Sequence, residues 1–216
     1  MVQNACSTST GRQLSPEKAK AILDGAMQEF LASGYAATSM DRVAATAGVS
    51  KATVYSHFQD KEGLFNALMQ QLVQQKFRMV FSPASDQTLQ GCPRIVLTQI
   101  AHNMLDSSLG DPQFMNFLRL IIGESGRFPK LAQGFVRYID ASSCQFFKQY
   151  LHDKAEELQL ADPEATARIF TGALVHYMIV QEMLHGKDIV PMERDRLINS
   201  LIAHICPGQS TPPSVA

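Results

Sequence analysis

Residues 38–65 read TSMDRVAATAGVSKATVYSHFQDKEGLF, and this stretch decides the fold. Its first half places apolar residues at three- and four-residue steps, which is typical of one buried helix face: Met40, Val43, Ala44 and Ala47. The pair Gly48-Val49 then supplies a turn, and Ser50 can cap a second short helix in which Val54 and Phe58 face inward. The pattern predicts a helix-turn-helix over about 39–58, with Thr38 or Ser39 as the first cap.

The flanking segments also predict helices. Ser15-Pro16 combines a capping residue with proline at the first helical position. The helix that follows carries one apolar stripe: Ala19, Ile22, Leu23, Ala26, Met27 and Phe30. We expect Gly34 to end this helix in a left-handed cap. Asp60 is expected to cap a longer helix that runs to about Phe81.

The rest of the chain repeats these signals after a connector at 82–92 that is rich in turn-forming residues. Proline and capping residues predict five further helical segments: 93–110, 111–122, 129–158, 162–186 and one after Pro191. No segment alternates strictly between apolar and polar residues, so the predicted fold class is all-α.

Composition restricts the class of protein further. The 216 residues are 45% hydrophobic and 18% charged, which is typical of a globular chain. No apolar run approaches the ~20 residues that a membrane-spanning helix needs, and the first residues lack a secretory pattern, so we expect a cytoplasmic protein. The cysteines lie far apart and predict neither a disulfide framework nor a metal site: Cys6, Cys92, Cys144 and Cys206. We expect no cofactor.

The outward face of the second short helix has the chemistry of a DNA-reading surface. Ala52 is small enough for the backbone to approach base edges, and Thr53 and Ser56 can bind bases or phosphates. Lys51 can reach a guanine or a phosphate, and the hydroxyl group of Tyr55 suits a phosphate. A solvated polar face is the alternative for each residue alone, but their combination favours binding in the major groove.

The net charge of this segment does not by itself indicate DNA binding, so the interpretation depends on where individual charges lie. Residues 15–76 contain six basic and six acidic residues, so the segment is neutral overall. We therefore expect folding to concentrate positive charge at Arg42, Lys51 and Lys61, helped by Arg12. A lysine in the first turn of a helix opposes the helix dipole, which makes sense at Lys61 if a phosphate binds there. A screened surface lysine is the alternative.

Four motifs in this part of the chain resemble the N-terminal domain of the TetR family of bacterial transcriptional regulators: FLASGY at 30–35, AGVS at 47–50, TVYSHF at 53–58 and DKE at 60–62. The resemblance implies two-fold homodimers on near-palindromic operators. It also implies a set of DNA-contact positions: Ser39, Arg42, Ser50, Lys51, Ala52, Thr53, Tyr55, Ser56, His57 and Lys61. On the helical wheel, His57 lies toward the edge of the core.

The stretch LRLIIGESGRFPKLAQGF at 118–135 is similar to the AefR-like C-terminal class of that family. This resemblance implies a domain that dimerises and holds an effector that is apolar or amphipathic. The expected organisation is a flexible arm at 1–14, a DNA-binding domain at 15–76, a regulatory and dimerisation domain at 77–206, and a disordered tail at 207–216.

Two sets of residues are predicted within the regulatory domain. Aromatic residues and two polar residues are candidates for the effector pocket, although such residues also build ordinary cores: Phe114, Phe117, Phe135, Tyr138, Phe146, Phe147, Tyr150, His176, Tyr177 and Gln181. The helix at 165–183 is apolar on most sides, so we expect it to pair with the last helix across a homodimer interface, burial within one subunit being the alternative. The candidates for this interface are Ile169, Phe170, Leu174, Met178, Leu197, Leu201, Ile202 and Ile205.

The sequence thus predicts a homodimeric DNA-binding regulator, most simply a repressor, that a small, largely apolar effector releases from its operator. An all-helical ligand carrier or adaptor without DNA binding is the alternative. An enzyme is not expected, because the chain has no nucleophile elbow, HExxH motif, phosphate loop or dinucleotide fingerprint. Activation of transcription is left open by these residues, although repression by occluding a promoter needs no additional parts.

Overall fold

The computed structural model describes residues 15–81, 91–139, 141 and 145–207, and its regular elements over these ranges are helices. The α-helices are α1 Pro16–Ala37, α2 Met40–Thr46, α3 Lys51–Phe58, α4 Lys61–Val80, α5 Pro93–Leu109, α6 Pro112–Glu124, α7 Pro129–Ile139, α8 Gln145–Asp153, α9 Ala155–Leu158, α10 Pro163–Tyr177 and α11 Arg194–Ile205. The described residues also contain a π-helical segment at Met178–Met183 and a 3₁₀ turn at Gly186–Asp188. The all-α prediction is confirmed. The predicted arm at 1–14, the connector residues 82–90 and the tail residues 208–216 lie outside the described residues.

Side-chain caps begin the first four helices where the sequence predicts them. Ser15 accepts a hydrogen bond from the backbone N–H of Lys18, and Ser50 accepts one from Thr53. Of the two candidate caps for α2, the structure uses Ser39. Asp60 accepts a hydrogen bond of 2.7 Å from the N–H of Gly63 at the start of α4. These bonds satisfy N–H groups that have no partner within their own helix, which explains the element boundaries.

Glycine sets the chain direction twice in this region. Gly48 has a φ of 65°, which lets the chain turn tightly between α2 and α3 as predicted. The prediction of a left-handed helical cap at Gly34 is wrong in detail, since its φ is 78° and its ψ is 168°. That conformation belongs to a region that only glycine adopts easily. It kinks α1, and helical geometry resumes until Ala37.

Two predicted helices are more segmented than their periodicity indicates. The predicted segment 129–158 is not continuous: α8 ends at Asp153, and Lys154 leaves helical geometry at φ −100° and ψ 5° before α9 begins. The segment 162–186 stops being α-helical at Tyr177 and continues as the π-helical turns. There the N–H of Leu184 bonds the carbonyl of Ile179, five residues back, which widens the turn.

The chain divides into two compact units, Met1–Leu68 and Met69–Ala216. The first has its own core, which contains Ile22, Phe30, Val43, Val54 and Phe65. The second is built around a larger cluster that includes Leu97, Leu105, Leu151, Phe170 and Ile198. The break falls within α4, earlier than the predicted domain boundary at 76/77, and the predicted functional domains remain predictions. Over the described residues, no helix combines the length and hydropathy needed to cross a membrane.

Candidate DNA-binding surface and ligand cavity

The short helix α3 buries one side and exposes the other, as the helical wheel predicts. Val54 is completely buried and Phe58 is half-buried, which anchors the helix. Lys51, Ala52, Tyr55 and Ser56 are exposed on the other side, with 43% of Tyr55 accessible to solvent, while Thr53 is half-buried. None of the eight residues of α3 is acidic. The exposed side can therefore approach a polyanion without repulsion from its own helix.

The basic side chains beside this face are paired with acids. The ammonium group of Lys51 lies 2.7 Å from the carboxylate of Asp41 on α2, and both side chains are exposed. Their hydrogen bond raises the pKa of Lys51 above its ordinary value. Arg42 lies 2.8 Å from Glu29 on α1, which also accepts a 2.7 Å hydrogen bond from the hydroxyl of Thr46. A DNA phosphate must compete with these carboxylates for the cations.

Lys61 has contacts that differ from the expected phosphate. Its ammonium donates to the backbone carbonyls of Tyr35, Ala36 and Thr38 at 2.9, 3.1 and 3.0 Å. It also lies 4.7 Å from the centre of the Tyr35 ring. An ammonium has three N–H donors, and these carbonyls account for them. The geometry therefore favours a structural role for Lys61, at the end of α1, over a DNA contact.

The polar groups at the other predicted contact positions also have local partners. Ser39 and Ser50 are helix caps, and the hydroxyl of Ser56 donates to the carbonyl of Thr53 at 2.8 Å. His57 is half-buried, with Nδ1 at 2.9 Å from the same carbonyl and Nε2 at 3.4 Å from the carbonyl of Ser15. His57 thus ties α3 to the start of α1, consistent with its place near the core edge.

The second unit contains an apolar cavity of about 570 Å³, within the size range of sites for small organic ligands. Phe114, Phe135 and Phe147, three of the residues predicted for an effector pocket, line it. Helices α4, α5, α6, α7, α8 and α10 and the π-helical segment contribute the remaining wall, which includes Val73, Ile100, Met104, Leu118, Ile121, Phe170, Val175 and Met178.

The other predicted pocket residues are not among the lining residues that the structure describes. Phe117, Tyr150 and Tyr177 are buried as packing residues, His176 is exposed, and Tyr138 is half-buried. Phe146 is half-buried and packs edge-on against Phe81. Their assignment to the pocket fails because helical spacing identifies apolar faces without telling a solid core from the wall of a cavity.

Gln181, which was predicted to lie in the pocket, is bonded to the backbone instead. Its buried amide donates to the carbonyl of Val190 at 2.9 Å and accepts from the N–H of Met192 at 3.2 Å. These bonds hold the connector between α10 and α11 to the end of the π-helical segment. A polar group in apolar surroundings here serves the backbone rather than a ligand.

Lys76 is a cavity residue that the sequence interpretation missed. It is 8% exposed, and its ammonium lies 2.7 Å from Asp111 and 4.6 Å from the centre of the Phe114 ring. The signal was in the sequence, because position 76 continues the apolar spacing of Leu72 and Val73 along α4. A lysine at a buried position of a helix needs a nearby acid.

Most of the predicted dimer residues pack inside their own subunit, which is a correction. Six belong to the core cluster of the second unit: Phe170, Leu174, Met178, Leu201, Ile202 and Ile205. Leu197 is half-buried against the same cluster, and only Ile169 among the candidates is well exposed, at 64%. The apolar residues of α10 pack in the core or line the cavity. Burial within one chain, the alternative given above, therefore explains why this helix is apolar on most sides.

The exposed apolar surface near α10 and α11 lies elsewhere than predicted. Ile169 shares one side of α10 with the exposed Gly172 and His176. The connector to α11 exposes four further apolar side chains: Leu184, Ile189, Val190 and Met192. The sequence signal was the apolar run IVPM at 189–192 within an otherwise polar connector.

Comparisons with known proteins agree with this architecture. The HTH-type transcriptional regulator YhgD of Bacillus subtilis (strain 168) is 24% identical over 200 residues, which cover 91% of this chain and 99% of that protein. The solved structure of the fatty acid degradation regulator FadR from Bacillus halodurans matches with a TM-score of 0.69 at 18% identity, covering 91% of this chain and 98% of that one. The flavonoid-responsive regulator FrrA matches with a TM-score of 0.68 at 26% identity, over 91% of this chain and all of that one.

Two family models match separate parts of the chain. The model of the bacterial regulatory proteins of the tetR family matches residues 22–68, which contain α2 and α3. The model of the AefR-like transcriptional repressor C-terminal domain matches residues 95–206, which is more than half of the chain. The chain therefore belongs to the TetR family, as a transcriptional regulator with a helix-turn-helix DNA-binding domain.

Proposed function

We propose that this protein is a homodimeric repressor that binds a near-palindromic operator through α3 and leaves it when a largely apolar effector enters the cavity. The observation that carries the proposal is the exposed, acid-free side of α3, held by the buried Val54 behind a tight glycine turn. A short helix presented in this way is the recognition element of helix-turn-helix proteins.

Contacts to DNA divide into two kinds under this proposal. Ala52, Thr53 and Ser56 suit base edges, while Tyr55 and Lys51 suit the phosphates on either side. Two copies of α3, one from each subunit, must lie about 34–36 Å apart to enter successive major grooves. Homodimerisation through α10 and the connector that follows it is therefore part of the proposal, supported by the exposed apolar residues there.

Helix α4 offers a route from effector to DNA. It begins with Lys61 in the first compact unit and ends in the second, where Val73, Lys76 and Val80 line the cavity. An effector that prefers a different position of this helix would shift the population away from the DNA-binding arrangement. The effector can shift this equilibrium only by the difference between its binding free energies for the two arrangements. The name of FrrA, a flavonoid-responsive regulator, supports control by a small molecule.

The test combines a double variant with a matched control. DNA fragments are first selected from the genome with the purified full-length protein, and binding is then measured by fluorescence anisotropy. We expect Lys51→Ala with Tyr55→Ala to weaken operator binding by at least about thirtyfold, since a lost charged contact costs about 1.5–3 kcal/mol and a lost hydroxyl contact about 0.5–1.5 kcal/mol. The control is Lys20→Ala, which removes an exposed lysine paired with Asp24 within α1.

Sedimentation of each variant separates loss of DNA contacts from loss of the assembly. Equal DNA affinity of the double variant and the parent protein, with both folded, would reject the assignment of α3 and favour the ligand carrier.

A further inference from the structure

We propose that the cavity of the second unit takes an uncharged, largely apolar molecule that carries a carbonyl oxygen, and that the hydroxyl of Ser108 donates a hydrogen bond to this oxygen. This assignment rests on the proposed function, because it names the chemical class of the effector and one residue that recognises it. Two features of the cavity wall support it: a buried hydroxyl without a partner, and cations that are already paired with acids.

Ser108 lines the cavity near the end of α5 and is only 6% exposed. Its backbone carbonyl accepts a hydrogen bond of 3.3 Å from the N–H of Asp111, but its hydroxyl forms no hydrogen bond within the described part of the chain. The hydroxyl of the preceding residue, Ser107, donates to the carbonyl of Met104 at 3.2 Å. A buried hydroxyl without a partner lowers stability. A ligand oxygen that reaches Ser108 therefore satisfies a group that the protein leaves unpaired.

Lys76 favours an accepting oxygen at this place. Its ammonium lies beside Ser108, because it donates to the carbonyl of Ser107, which is bonded to the nitrogen of Ser108. The ammonium also lies 2.7 Å from Asp111. Lys76 is among the described lining residues and Asp111 is not, so a ligand meets the positive member of this ion pair. A positive charge attracts the negative end of a ligand dipole, which in a ketone or an ester is the carbonyl oxygen.

The charges of the wall favour an uncharged ligand. Three of the described lining residues are ionised, and each has an acidic partner: Lys76 pairs with Asp111, and Lys148 and Arg168 lie 3.5 and 2.9 Å from Glu164. A ligand carboxylate would have to displace one of these acids, and a ligand ammonium would meet like charge. The other described lining residues are mostly apolar, so a charged group would lose its hydration without gaining a partner of its own.

Thr171 on α10 is the second hydroxyl residue among the described lining residues. Its hydroxyl also forms no hydrogen bond to the residues that the structure describes, but Thr171 is half-buried. Ser108 is more deeply buried and lies next to Lys76, so an unpaired hydroxyl is more costly there and a carbonyl oxygen gains more. Thr171 therefore serves as the rival position in the test.

The experiment uses the full-length protein and four flexible ligands that share a phenylbutyl group: 6-phenyl-2-hexanone, 2-methyl-6-phenyl-1-hexene, 5-phenylpentanoate and 5-phenylpentylammonium. The alkene has the shape of the ketone, with a CH₂ group in place of the oxygen. Binding is measured by calorimetry within the solubility of each ligand. We expect the carboxylate and the ammonium compound to bind at least about tenfold more weakly than the ketone, because burying their charge is costly.

Variants locate the carbonyl oxygen. Ser108→Ala should lower the affinity for the ketone about fivefold, the value of one hydrogen bond, and leave the affinity for the alkene unchanged. Ser107→Ala is the matched control, because this neighbouring serine is not among the described lining residues and its hydroxyl bonds the backbone. It should change neither affinity. Binding of the alkene also reports that the cavity of each variant is intact.

Four results would overturn the proposed site: no binding of the ketone, an equal effect of Ser108→Ala on ketone and alkene, a selective loss of ketone binding in Thr171→Val instead, or a charged ligand that binds as tightly as the ketone. Operator release is measured separately with the same ligands. If the ketone binds through Ser108 but leaves operator binding unchanged, the ligand site stands and the proposed effector-driven release fails.

Discussion

The ammonium group of Lys51 lies 2.7 Å from the carboxylate of Asp41, so under the proposed function the first residue of α3 meets a DNA phosphate with an acid already beside it. Arg42 and Glu29 form a second such pair nearby. Both side chains of the Lys51–Asp41 pair are exposed, and exposed ion pairs contribute little, so exchanging this carboxylate for a phosphate changes the energy little. Weak attraction to arbitrary DNA would make base contacts decide where the protein binds.

Asp41→Asn should therefore strengthen DNA binding. Removing the acid frees Lys51 and deletes one negative charge near the phosphates, a gain of about 1 kcal/mol or roughly fivefold in affinity. The slope of log K against log salt should steepen by up to ~0.9, as expected for one more phosphate contact. Anisotropy on operator and on random DNA at several salt concentrations measures both quantities.

The control for this change is Asp24→Asn, which removes an exposed acid paired with Lys20 inside α1. An Asp41→Asn protein that binds random DNA no better than the control would contradict the argument.

At the scale of elements, hydrogen bonds at the helix ends determine where the first helices begin and how two of them are joined. Capping side chains start α1 to α4, and Lys61 at the start of α4 donates hydrogen bonds to the carbonyls of Tyr35, Ala36 and Thr38 around the end of α1. These carbonyls lack partners within their own helix. One side chain thus links two elements and limits how the helix-turn-helix can be oriented.

Lys61→Met should lower stability and leave DNA contacts largely intact. The substitution keeps the aliphatic part of the side chain and removes the donors, so about 1–3 kcal/mol of unfolding free energy should be lost. Chemical denaturation followed by circular dichroism measures this loss. Lys18→Met, at an exposed position of α1, is the control and should change stability by less than about 0.5 kcal/mol.

A different result would restore the interpretation made from sequence. If Lys61→Met keeps the stability of the parent protein and loses operator affinity, the lysine holds a phosphate rather than the end of α1.

At the scale of the whole molecule, the large apolar content of α10 and α11 divides between one core and one cavity wall. Little of it remains for a partner subunit. What remains exposed is Ile169 on α10 and the apolar connector that ends at Met192. Exposed apolar patches of this kind commonly mark contacts between proteins.

Ile169→Glu should therefore dissociate the proposed dimer. A buried, unpaired carboxylate at an interface costs several kcal/mol, so at micromolar concentration the variant should sediment with the 23.8 kDa mass of one chain. Operator affinity should fall with it, because one half-site then binds alone. Val136→Glu changes an equally exposed residue of α7 and should leave the parent assembly unchanged. A dimeric Ile169→Glu protein would place the interface elsewhere.

Local sequence determined the helices, their caps and the helix-turn-helix, because capping bonds, the positive φ of Gly48 and apolar spacing act over a few residues. The family motifs belong to the same local part of the chain. Only the tertiary structure decided the pairing of Lys51 with Asp41, the carbonyl contacts of Lys61 and the split of apolar residues between core and cavity. Those features depend on residues that are distant in the chain and meet only when the helices pack. Periodicity reports which side of a helix avoids water, whereas packing decides what that side touches.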